Sequence, residues 1–225
     1  MTKIPALLVL LLFLPGLADA QTKVEEAVAS NNRGIKLLKE GKADEAIAEF
    51  QKAVQLDPNY TPARQNLGYA YDRQGRSEEA MVHYQKAVEL DPKSPVVYNN
   101  LGVLYDKERR YDEAMAEFEK ALRVNPGDAT ALKNLETAKK NKAFIEEREK
   151  AIAQAQKAVE NNPKDPRSAY NLARLYALHG QKEQAIEWLA KALKLGYRDL
   201  DYLKVDPALK SLRDDSNFIR LFPTR

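Results

Sequence analysis

The chain has 225 residues, with 36 Lys and Arg against 33 Asp and Glu, a net charge of +3, and 31% charged residues beside only 9 Gly and 11 Pro. That is a helix-rich globular composition, too weakly basic for a dedicated nucleic-acid binder. The absence of Cys excludes a disulfide framework, thiolate zinc sites, a cysteine nucleophile and a lipid-modified N-terminal Cys, and two His, His83 and His179, leave little for imidazole chemistry.

Residues 1–20 differ from the rest. Lys3 gives a basic start, Ile4 to Leu14 is apolar apart from Pro5, Pro15-Gly16 breaks the run, and Ala18-Asp19-Ala20 has the small-x-small pattern of a cleavage site. This is the layout of a secretory signal peptide cleaved after Ala20, and the apolar run is about half of the ~20 residues a membrane span needs. The expected mature chain begins at Gln21, carries no integral membrane segment and is periplasmic or secreted.

A 34-residue period follows. Gly34, Gly68 and Gly102 are spaced by 34, as are Ala46, Ala80 and Ala114; Phe50, Tyr84 and Phe118; Ala53, Ala87 and Ala121; and Pro58, Pro92 and Pro126. The columns return after a 37-residue step at Ala151, Ala155, Ala158 and Pro163, and after 34 more at Ala185, Leu189, Ala192 and Tyr197. Five units result, one with three extra residues, and a period of this size marks a repeat architecture.

Each unit carries two amphipathic stripes. In residues 61–94, Leu67, Ala70 and Tyr71 share one helical face and Ala80, Tyr84, Ala87 and Val88 another, with Gly75 between them and Asp91-Pro92 closing the second. The pattern predicts a helix pair in which Gly68 faces Ala80, with Tyr84 and Leu67 filling the space alongside.

These columns resemble the tetratricopeptide repeat, and the third unit matches most fully, with Tyr98, Leu101-Gly102, Tyr105, Ala114, Phe118, Ala121 and Pro126. The resemblance covers roughly residues 27–197 and implies an all-α, right-handed α-solenoid of about five repeats: 27–60, 61–94, 95–128, a degenerate fourth at 129–165, and 166–199, followed by a C-terminal cap at 200–225. Ser30 and Arg33 stand in the first unit where large apolar residues are usual, which suits an end helix whose outer face meets water. In the fourth unit Glu136 replaces Gly and Ala155 replaces the aromatic, and no Gly or Pro occurs between Gly127 and Pro163. The fourth unit is therefore either a hairpin or one long connecting helix. The polar stretch Lys139 to Lys142, with Asn141 able to end a helix, favours a break near residues 141–145. In the cap, Asp206 precedes Pro207 as an N-cap, Asp215 or Ser216 caps a further turn, and Leu209, Leu212, Phe218 and Leu221 are placed to cover the fifth unit.

No residue set supports catalysis. The two His have no second His at ligand spacing, no Gly-rich phosphate loop follows a strand, and Lys139 to Lys142 runs straight into Glu146 and Glu147. The expectation is a non-enzyme with no cofactor and no metal, binding no nucleic acid, and monomeric. The resemblance implies that first helices line a concave groove for a partner's peptide or helix. Carried onto this sequence, its lining includes Asn66, Tyr69, Arg73, Asn100, Val103, Lys107, Lys133, Asn134, Tyr170, Asn171 and Arg174. Asn32, Asn66, Asn100, Asn134 and Asn171 form one column, and their amides can either hold an extended peptide backbone or bond to neighbouring helices. Some related chaperone adaptors grip a C-terminal carboxylate through a Lys, Asn and Arg clamp. Here Asn66 matches one position, but Asn31, Ile35, Val96 and Asn100 replace the rest, which speaks against that ligand. Lys133, Lys140, Arg167 and Arg174 make the distal half the more basic, so an acidic part of a ligand is expected there. The expected function is an exported interaction scaffold for envelope or secretion-complex assembly, with a cell-wall glycan or peptide binder as the alternative that a Tyr-lined groove allows.

Overall fold

The computed structural model describes residues 15–222, and among these it is all-α. Most of the expected signal segment lies outside the described residues. From Pro15 the chain is helical through Ala20 and on to Lys39.

The helices are α1 (Pro15–Lys39), α2 (Ala43–Leu56), α3 (Thr61–Arg73), α4 (Ser77–Leu90), α5 (Pro95–Lys107), α6 (Tyr111–Val124), α7 (Ala129–Asn161), α8 (Pro166–Leu178), α9 (Lys182–Lys194) and α10 (Leu200–Val205). A 3-10 helix, Pro207–Leu212, and the single turn α11 (Ser216–Ile219) follow. Their starts follow from the sequence. Proline stands in the first turn of α3, α5 and α8, where its missing N–H removes nothing, and Asp165 accepts from the Arg167 and Ser168 amides ahead of α8. The turns inside the hairpins need a left-handed residue. Gly75 supplies it at φ 75°, whereas the third hairpin places Arg109 there at φ 60°.

The chain divides into two compact units at Lys139/Lys140. In the first, α1/α2, α3/α4 and α5/α6 are hairpins, and α2 packs on α3 and α4 on α5. Its main core holds Phe50, Leu67, Tyr71, Tyr84, Leu101 and Leu104. Gly34, Gly68 and Gly102 allow the helices to approach: a Cβ on Gly68 would lie 2.8 Å from the Tyr84 ring, and one on Gly102 would lie 2.5 Å from that of Phe118. Gly68 thus faces Tyr84 and not Ala80 as the pattern suggests, because the ring lies flat across the bare backbone. Ser30 is also not exposed. Arg33 folds over it, donating to Ser30 Oγ at 2.8 Å while its Nε reaches Glu49 at 3.1 Å, so Ser30 is buried on α1.

The second unit is built on α8/α9, with Val159 of α7 in the core and Ile152 and Ala155 packed against it. Leu203, Leu209, Leu212 and Phe218 from the C-terminal segment complete this core. Asp206 caps the 3-10 helix by accepting from the Ala208 amide, and Asp215 caps α11 by accepting from that of Asn217.

Residues 129–161 form one helix of 33 residues with no break at 141–145, contrary to the favoured hairpin. Asn141 is a permissive helix end only where the next residues stop the helix, and Lys142 to Lys150 are good helix formers with no Gly or Pro. The two halves of α7 behave as different repeat elements. Ala131, Leu135 and Ala138 pack under the third repeat like a following first helix. Gln156, in the other half, donates to the Tyr176 hydroxyl at 2.9 Å, just as Gln51 of the second helix α2 donates to Tyr71 at 2.8 Å.

Candidate functional site

In the first unit, successive first helices are stitched together by side chains. Asn66 Nδ2 donates to Asn31 Oδ1 at 2.8 Å, Asn134 Nδ2 donates to Asn99 Oδ1 at 2.9 Å, and Lys107 Nζ donates to both Asp72 carboxylate oxygens at 2.7 Å. Asn31 is almost fully buried, so its amide oxygen needs this donor. Of the two roles open to the Asn column, Asn66 and Asn134 therefore serve the fold. Lys107 is likewise held by Asp72, whose side chain is only 11% exposed.

What remains open is a cleft of about 450 Å³ between α1, α3 and the first hairpin turn, lined by Ile35, Leu38, Lys39, Asn66, Tyr69 and Arg73 among others. Tyr69 is 42% exposed, unlike Tyr71 and Tyr98, which are buried in the core. Neither Lys39 nor Arg73 forms an ion pair among the described residues. The lining thus combines one aromatic ring, the aliphatic Ile35 and Leu38, and two cations. Asn100 is half-buried, Val103 packs beside Phe118 and Ala138, and Lys133 is exposed on α7.

In the second unit, Asn171 is exposed but Tyr170 and Arg174 are occupied. The Tyr170 hydroxyl donates to Asp206 Oδ2, which also accepts from Arg174 Nε at 2.7 Å. Asp206 is completely buried. Burial alone would raise its pKa, but the bonds from Tyr170, the Ala208 amide and Arg174 outweigh that and hold its carboxyl below the ordinary value. Burial and the same bond to Asp206 push the Tyr170 hydroxyl up. The expected ligand contacts of Tyr170 and Arg174 are therefore satisfied by the chain's own cap. Asp206 reads in sequence only as an N-cap before Pro207, and nothing local signals its second role. Lys39, missed as a lining residue, lies at the end of α1 beside a Gly turn.

Both histidines contact other side chains of the chain. His83 stacks on Tyr71 with ring centroids 5.5 Å apart, and burial lowers its pKa, with Arg64 adding to the shift. His179 Nδ1 accepts from Arg148 Nε at 2.8 Å. Among the described residues no group of His, Asp or Glu is arranged to hold a metal ion, and no helix is long and apolar enough to cross a membrane.

Comparison with known families finds "TPR repeat" over residues 73–108 and "Tetratricopeptide repeat" over 37–82, 95–128 and 155–187, together more than half of the chain. The chain belongs to the tetratricopeptide-repeat family. No curated protein matches it. Among solved structures, the first repeat domain of Spaghetti (RPAP3) bound to the HSP90 peptide SRMEEVD is 26% identical, with a TM-score of 0.52 over 53% of this chain and 95% of that one. The same domain of the human protein gives 26% and 0.52, over 54% and 96%. PilF of Pseudomonas aeruginosa is 20% identical with a TM-score of 0.50, over 89% of this chain and 90% of its own, a likeness of fold alone. The tetratricopeptide assignment supports a protein-interaction module.

Proposed function

We propose that this tetratricopeptide protein is an exported, non-catalytic scaffold that holds a peptide segment of a partner protein in the cleft between α1 and α3, serving envelope or secretion-complex assembly. The exposed Tyr69, which lines one cleft with Ile35, Leu38, Lys39 and Arg73, carries this reading. A lining of one aromatic and two aliphatic side chains suits one apolar side chain, and the two cations suit a carboxylate nearby. The acidic part of the ligand is thereby assigned to Lys39 and Arg73 rather than to the distal half, where Arg174 is already committed to Asp206. The bound peptide of the Spaghetti domain is acidic too, but the replaced clamp positions Asn31, Ile35, Val96 and Asn100 argue for a different mode of holding it. Export rests on the residue pattern of positions 1–20.

A photo-crosslinking residue at Tyr69, followed by capture from an envelope extract, tests the reading. One protein should be crosslinked, and its binding should fall at least tenfold in Tyr69→Ala and Arg73→Glu. The same proteins captured by the wild type and by both variants would reject the cleft, and enrichment of wall glycan instead would favour the wall-binding alternative. N-terminal sequencing of the exported protein should start at Gln21, and a start within residues 1–20 would overturn cleavage after Ala20.

A further inference from the structure

We infer that the C-terminal half of α9 and the residues that follow α11 form a docking face for an anionic phospholipid surface. The face is an open cleft of about 590 Å³ within the second unit, and its walls come from α9 and from Arg220 and Leu221. On α9, Glu187, Lys191 and Lys194 fall at i, i+4 and i+7, opposite the buried Ala185, Leu189 and Ala192. Lys191, Lys194 and Arg220 are exposed, and none of them forms an ion pair among the described residues. Glu187 is the single acid of the lining. The negative end of α9 accounts for the two Lys, but Arg220 arrives from another element and still lines the same cleft. The surrounding sequence has the same sign of charge. Residues 140–225 hold 17 Lys and Arg against 12 Asp and Glu, whereas residues 1–139 hold 19 against 21.

Two further features select a lipid surface as the occupant. The first is Trp188, the chain's only Trp, which is partly buried and has Lys191 Nζ 4.1 Å from its ring centroid. An indole beside a cation settles at the level of phospholipid headgroups, where its apolar body and its polar edge are both accommodated. Ile219, the neighbour of Arg220, is 55% exposed, and Ala190, Leu193 and Leu221 form the apolar part of the cleft. Cations set among apolar side chains match a phosphodiester attached to acyl chains. The second feature is the kind of polar group present. Among the described residues the lining has no side-chain amide or hydroxyl, so an extended peptide backbone would meet only cations and the one carboxylate of Glu187. The cleft between α1 and α3 differs in presenting Asn66. A headgroup needs no such partner, because its other side stays in water. The observations thus favour a lipid surface over an acidic peptide here, and they do so independently of the peptide assigned to the other cleft.

A single Trp makes the test specific to this face. Emission from Trp188 of the exported protein should shift to shorter wavelength on addition of vesicles of phosphatidylglycerol mixed with phosphatidylcholine, and should stay fixed with phosphatidylcholine alone. Cosedimentation with the mixed vesicles should weaken as salt is added, and should fall by about tenfold or more in the double variant Lys191→Glu/Arg220→Glu, whose two positions are exposed and leave the core untouched. Tyr69→Ala should bind the vesicles as the wild type does, which separates this face from the cleft between α1 and α3. Inorganic phosphate and a polyglutamate peptide, each at the same concentration of charge, should leave the Trp188 emission unchanged. No shift with the mixed vesicles, an equal response to phosphatidylcholine alone, or unaltered binding by the double variant would each overturn the inference. So would a response to either soluble probe as large as that to the vesicles, which would assign the face to a free anion or to an acidic protein segment.

Discussion

Gly102 and Phe118 show how little room the repeat columns leave. A Cβ 2.5 Å from a fully buried ring has nowhere to go, so Gly102→Ala should destabilise the first unit by about 1 to 3 kcal/mol, read as a lower urea midpoint with an unchanged slope. Asp206 offers a second residue-level prediction. Asp206→Asn removes the charge that Tyr170 and Arg174 share and should cost about 2 kcal/mol at neutral pH. Because the folded carboxyl sits below its unfolded value, the unfolded chain takes up the proton first as pH falls. The stabilisation is complete well above the unfolded value of roughly 4 and declines as pH falls from there through the folded one, so the gap between wild type and variant should narrow progressively in urea titrations carried out below pH 4. His179 has the opposite charge type with the same sign. Burial, and then Arg148, lowers its pKa, so the second unit loses stability as pH falls below roughly 6.5. An NMR titration should place the His179 midpoint below that of a free imidazole, and Arg148→Ala should raise it.

At the scale of elements, much was legible because each repeat states the same pattern again. The α3/α4 boundaries follow from Pro62 at the start, Gly75 at the turn and Asp91-Pro92 at the end. Arg109 departs from the turn rule. At φ 60° it occupies a conformation that Gly75 adopts freely, and Arg109→Gly should therefore stabilise the chain by about 0.5 to 1 kcal/mol, measurable as a higher melting temperature. The continuity of α7 was not legible, because polar residues such as Lys139 to Lys142 suit a solvated helix face as well as a turn. The candidate groove was legible in part. Column positions found Asn66, Tyr69 and Arg73, which do share a cleft, but columns do not show which side chains are already engaged by the chain itself. Asn134 and Lys107 are bonded to the preceding first helix, and Tyr170 and Arg174 to a segment more than thirty residues away, a pairing that periodicity does not encode.

For the molecule as a whole, stability is a sum of neighbouring contacts, so a missing end is costly. Leu203, Leu209, Leu212 and Phe218 complete a core that α8 and α9 cannot close by themselves. Deleting residues 200–225 should lower the melting temperature of the second unit while leaving that of the first within a degree or two, a split that scanning calorimetry would resolve into two transitions.

The division at Lys139/Lys140 also sets an order in time. Every buried residue of the first unit's clusters lies at or before Ala138, and every one of the second unit's lies at or after Val159. A chain that emerges from its N-terminus meets all the partners its first core needs, at short sequence separation, before the second core has any of its own. The first half of α7 closes that core and its second half opens the next, so a chain that emerges N-terminus first can finish one block while the helix that will start the other is still arriving.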